Sequence, residues 1–129
     1  MAITISAAAA QAMGAALASD IGASSTIQIY SGSKPATVAT AATGTLLATI
    51  TISGSYTSSG GVLTAADPAA VAPVASGTAG YFRISTSGAV AKLDGTVGTS
   101  GTDMILGSTT ITTGVNIDLG VPTITVPLL

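Results

Sequence analysis

The side chains able to do acid–base, nucleophilic or metal chemistry are few. There is no His, no Cys and no Glu, and the charged residues are Lys34, Arg83 and Lys92 against Asp20, Asp67, Asp94, Asp103 and Asp118. A serine or threonine nucleophile needs a base to take its proton, and without His or Cys the common dyads are gone. Only a Ser–Lys pair remains, and none is expected. Paired carboxylates can act as general acid and base, which makes Asp94, Asp103 and Asp118 the candidates. Each, however, stands beside turn or strand-edge residues such as Gly95 or Asn116, where a solvated Asp is ordinary. The spacing of a calcium-binding loop is missing and no two Asp are close in sequence, so no metal is expected. The glycine-rich run from Gly95 to Gly101 is followed by no Lys and opens no helix, so it reads as turns rather than a phosphate cradle. No catalytic, cofactor-binding or metal-binding residue is assigned, and the chain reads as non-enzymatic.

Composition narrows the partners. Of 129 residues only 6% are charged, and the net charge is −2. Neutralising several phosphates takes clustered Lys and Arg, so nucleic-acid binding is not expected. Attachment to anionic lipid fails for the same reason. The mean hydropathy of +0.72 comes from abundant Ala and missing charge. No stretch of about 18 to 20 strongly apolar residues is present, so no membrane-spanning helix is expected. The Ala-rich beginning has no Lys or Arg ahead of it and no Leu-rich stretch after it, which argues against a cleaved signal. The absence of Cys excludes disulfides and leaves the compartment open.

These residues must be carried by local elements, and the pattern changes once. Residues 6–21 are helical in character: Ala is the best helix former, Met13, Leu17 and Ile21 recur at four-residue spacing, Ser6 can cap the start and Gly22 the end. Gly14 weakens this helix by roughly 1 kcal/mol relative to Ala. After Gly22 come short Thr-, Val- and Ile-rich runs separated by Gly, Ser and Pro. Strands are expected at 26–30, 45–52, 62–65, 80–85, 89–97, 104–106, 109–112, 115–119 and 123–126. Residues 31–44 and 67–80 read as loops, and 54–61 as a turn. The runs 80–85 and 89–97 predict a hairpin about Ser87-Gly88, with glycine supplying the positive φ. Pairing Thr86 with Ala89 sets Phe82 opposite Leu93, both inward, and Arg83 opposite Lys92, both outward, with Asp94 diagonal to relieve the like charges. Many short strands with frequent turns predict an all-β fold, an antiparallel β-sandwich of about seven to nine strands over 23–129, with 1–22 as a helix or arm packed on it.

Small neutral side chains lose little entropy and little solvation when covered, so a surface of Thr, Ser, Ala and Gly suits close packing and protects poorly against self-association. A homo-oligomer or assembly part is expected. Tyr30 and Tyr81 fall on the outward phase of their strands and can anchor a protein interface, where Tyr is favoured. Tyr56, Arg83 and Lys92 join them as candidate interface residues.

The run at 27–37, Ile-Gln-Ile-Tyr-Ser-Gly-Ser-Lys-Pro-Ala-Thr, the run at 41–49, Ala-Ala-Thr-Gly-Thr-Leu-Leu-Ala-Thr, Tyr81-Phe82-Arg83, and the run at 93–103, Leu-Asp-Gly-Thr-Val-Gly-Thr-Ser-Gly-Thr-Asp, occur in that order. In this series the chain resembles a family of small structural proteins of tailed phages and prophages. The resemblance extends through 109–126, with the Ala-rich beginning least distinctive and Tyr81 standing where many relatives carry Trp. It implies a virion component made in the host cytoplasm: a decoration or cement protein on the capsid exterior, with the major capsid protein and copies of itself as partners. It brings no catalytic residue. The alternative is a tail- or fibre-associated adhesion module that meets the host surface through Tyr30, Tyr56 and the loops 31–44 and 67–80.

Overall fold

A computed structural model describes residues 3–125. Helix α1 (Ala7–Ile21) begins where Ser6 Oγ accepts the Ala9 N–H at 3.1 Å, and ends at Gly22, whose N–H donates to the Ala18 carbonyl from a φ of 75°. Both caps fall where the sequence places them. The buried face does not: it is Ala10, Gly14, Ala18 and Ile21, while Met13 is 49% exposed. Small residues face inward because backbone comes very close there. A Cβ on Gly14 would sit 2.6 Å from Ser58 Oγ and 3.4 Å from Gly61 Cα. The glycine that weakens the helix on propensity is thus the one that lets it dock.

Among the described residues nine strands follow: β1 (Thr26–Ser31), β2 (Leu46–Thr51), β3 (Thr57–Ser59), β4 (Val62–Thr64), β5 (Gly77–Ser85), β6 (Ala91–Gly98), β7 (Met104–Ile105), β8 (Thr110–Ile111) and β9 (Thr123–Thr125). They form one sheet in the order β2-β1-β5-β6-β7, with β8 paired to β5, and a second in the order β3-β4-β9. Over the described residues the protein is mainly β with one helix. Pairing is antiparallel except between β6 and β7, which run parallel, a departure from the all-antiparallel expectation. The stretch expected as a turn contains β3, joined to β4 through Gly60 and Gly61, both at positive φ, the geometry a two-residue hairpin loop requires. Residues 115–119 form no named strand and contribute a single bridge, Val71 to Ile117. Residue 126 of the last expected strand lies outside the described residues.

One face of the larger sheet builds the core in cross-strand rows. Ile50, Ile27, Ile84 and Leu93 form one row, and Ala48, Ile29, Phe82 and Gly95 the next. Ile27, Ile29, Ile50 and Ile84 are all buried, with Leu63 of β4 packed into the same cluster. Gly95 is required here, because any Cβ would run into the Phe82 ring. Phe82 and Leu93 do face inward, as the sequence predicts.

Their partners differ from the prediction, for a traceable reason. The β5–β6 loop has three residues rather than two: Thr86 N–H donates to the Val90 carbonyl, Ala89 N–H donates to the Thr86 carbonyl, and Ala89, not Gly88, takes positive φ at 64°. A bulge then follows between Ile84 and Ser85, leaving Lys92 as the extra residue. Each shifts the register by one. Together they keep Phe82 and Leu93 on their predicted inward face and set Arg83 opposite Asp94 instead of Lys92.

Candidate functional site

The second face of the larger sheet carries the polar and aromatic residues. Its rows are Thr49, Gln28, Arg83 and Asp94, then Leu46, Tyr30, Tyr81 and Thr96. This face is not open to solvent at its centre. The chain between β1 and β2, residues 32–45, folds back over it and is held by side chains from β5. Tyr81 Oη donates to the Thr43 carbonyl at 2.6 Å and accepts the Thr43 N–H at 2.9 Å. Arg83 Nη2 donates to the Thr40 carbonyl at 2.9 Å. Arg83 Nε and Nη2 also grip Asp94 at 2.7 and 2.8 Å, a two-pronged ion pair whose side chains are 7% and 2% exposed. The Asp94 carboxylate beside it holds the guanidinium above its ordinary pKa.

Tyr30 stacks on Tyr81 with ring centroids 5.1 Å apart and planes 9° from parallel. Its hydroxyl donates to Gln28 Oε1 at 3.3 Å, and burial pushes its pKa up. The loop approaches so closely that a Cβ on Gly80 would strike the Gly32 carbonyl oxygen, and one on Gly44 the Ser31 carbonyl oxygen. Pro35, within the fold-back, is itself buried. The segment expected as a free surface loop is therefore a clasped strap, and a buried ion pair is its fastening.

The expectation that Tyr81 and Arg83 lie outward is corrected: both are buried, because the strap covers the face on which the alternation correctly places them. Tyr56 is buried too, only 4% exposed, under α1. Burial drives its hydroxyl up to about 12, the nearby Ser25 hydroxyl offsets only part of that, and neither oxygen completes a hydrogen bond. Tyr30 is half-buried. Lys92, pushed out by the bulge, reaches Asp20 of α1 at 2.9 Å. Of the five candidate interface residues, Tyr30, Tyr81 and Arg83 thus come together, while Tyr56 and Lys92 lie elsewhere.

Two further carboxylates, Asp103 and Asp118, have structural partners. Asp103 accepts from Thr96 N–H and Oγ1 at 2.8 and 2.9 Å, which holds its pKa below the usual carboxylate range. Asp118 accepts the Gly120 N–H at 2.9 Å. Ser31 and Lys34 do stand three apart, the spacing of serine–lysine enzymes, contrary to the expectation that no such pair exists. They do not meet: Ser31 Oγ accepts from Thr45 N–H at 3.0 Å, and Lys34 Nζ donates to the Pro35 carbonyl at 3.4 Å. Among the described residues no three potential metal ligands cluster, and no helix is long and apolar enough to cross a membrane.

The strap is the feature that sequence reasoning missed. Its signal was present: two large residues on the outward phase of a nine-residue strand, next to a loop punctuated by Gly32, Pro35 and Gly44. Comparison with protein-family models, curated proteins and solved structures finds no match to this chain.

Proposed function

We propose that the two sheets pack as a β-sandwich and that the protein is a non-enzymatic virion structural component, a decoration or cement protein seated on the exterior of a phage capsid. Its partners on this reading are the major capsid protein and further copies of itself as a homo-oligomer, and it acts after synthesis in the host cytoplasm. The observation that carries the proposal is the internal use of its charge. Arg83 and Asp94 are buried against each other, Lys92 is tied to Asp20, and Asp103 is held by Thr96. What the strap turns outward is mainly Ala36, Thr37, Ala39, Ala41 and Ala42, all exposed and uncharged, with Lys34 its single exposed charge. A strap fixed by buried bonds presents these residues with little conformational entropy left to lose, which favours close contact with a partner. Repetition over many identical sites then makes modest contacts collectively strong.

The adhesion reading draws less support, since Tyr56 is buried and Tyr30 is half covered by Tyr81. The test is to locate the chain in purified particles by reconstruction. Density on the shell, repeated with the capsid symmetry, is the expected result. Finding the chain only at a tail tip, or absent from particles, defeats the proposal.

A further inference from the structure

We infer that the first half of α1, residues 7–14, is a releasable arm that peels from the β3–β4 hairpin about Gly14, while residues 17–21 stay rooted. The two halves are held very differently. At the root, Ile21 is 1% exposed and Ala18 8%, Leu17 packs against the core, and Asp20 pairs with Lys92. The first half buries only Ala10 and Gly14, and its outer side leaves Met13 and the preceding Ile3 about half exposed.

The seam beneath that half is polar and unsatisfied. Gln11 Nε2 donates to the Ser58 carbonyl at 3.0 Å, but Gln11 Oε1 and Ser58 Oγ are both buried with no hydrogen-bond partner. Closing the arm strips both groups of water without replacing it, and opening returns it, so rehydration favours the open arm. Ser58 Oγ also lies against Gly14, leaving no room for even a methyl group there. No acidic side chain in the first turn complements the helix dipole, so the Ser6 cap is left as the arm's terminal support. A mid-helix glycine lowers the cost of bending at that point. The arm therefore opens as a local unit, independently of global unfolding. This holds for the isolated chain and does not depend on the virion proposal.

Amide hydrogen exchange on the full chain, read residue by residue by NMR, tests it. In the unmodified protein the Gln11, Met13 and Gly14 amides are expected to exchange about a hundredfold faster than those of Ile27 and Ile84. The decisive variant is Ser58→Ala, which removes an unsatisfied hydroxyl from the seam. It should slow the arm amides about threefold or more and leave Ile27 and Ile84 unchanged. Gly14→Ala provides the opposite sign: despite better helix propensity, its methyl meets Ser58 Oγ, so the arm amides should exchange about threefold or more faster. Exchange of the arm at the rate of the sheet, or a Ser58→Ala variant whose arm exchanges as fast as before or faster, overturns the inference.

Discussion

Arg83 illustrates how a single side chain commits a surface. Its guanidinium is removed from water, so its stability rests on Asp94, and through the Thr40 carbonyl the pair also holds the strap. Removing one partner of a buried pair leaves the other charge uncompensated, whereas replacing both by apolar groups is far milder. Asp94→Asn is therefore expected to cost about 3–5 kcal/mol in urea denaturation, with much of that recovered in the Arg83→Met, Asp94→Leu double variant. Tyr56 supplies a pH dependence of known sign. Its folded pKa of about 12 lies above the ordinary 10, so its contribution is complete below the unfolded value. That contribution is lost as the pH rises from 10 towards 12, and Tyr56→Phe should flatten this part of the fall when denaturation midpoints are compared across that range. Neither feature was legible in the sequence. Arg83 and Asp94 become partners only through the register, and Tyr56 lies in a stretch whose Ser and Gly content reads as a turn.

At the scale of elements, alternation of apolar residues located the strands well, because Ile27, Ile29, Ile50 and Ile84 must all face one side whatever the pairing. Pairing itself was less legible, since loop length and bulges are set by a few backbone torsions rather than by pattern. The β5–β6 loop is the clearest case: Gly88 was the residue suited to positive φ, yet Ala89 adopts it. A left-handed conformation costs an L-residue energy that glycine avoids, so Ala89→Gly should stabilise by about 0.5–1 kcal/mol, a gain partly offset by greater unfolded-state entropy. Thermal unfolding checks it, and a loss of stability would contradict the three-residue loop. Gly80 behaves in the opposite way. Its hydrogen faces the Gly32 carbonyl oxygen, so Gly80→Ala must push the strap off the sheet, at an expected cost of about 3 kcal/mol. The fluorescence of Tyr81, packed beneath the strap, should change in the same variant.

For the whole molecule, composition spoke more clearly than any motif. Eight charged residues in 129 offer little to partners that demand charge, and the fold uses several of the eight to fasten its own parts. What remains outside is suited to contact by shape and apolar area rather than by Coulomb attraction. That distinction gives the proposed assembly role a measurable signature. Salt screens interactions between exposed charges over a Debye length, about 10 Å at 0.1 M and about 3 Å at 1 M. Contacts made by Ala and Thr on a clasped strap carry no such term, and salts such as sulfate strengthen apolar burial instead. Binding of the purified protein to shells that lack it, or to itself in sedimentation, should therefore change by less than about threefold between 0.05 and 0.5 M sodium chloride. A tenfold or greater loss over that range would mean that Lys34, Asp67, Asp103 or Asp118, the charges left without an ion-pair partner among the described residues, carry the contact and that the strap's Ala and Thr do not.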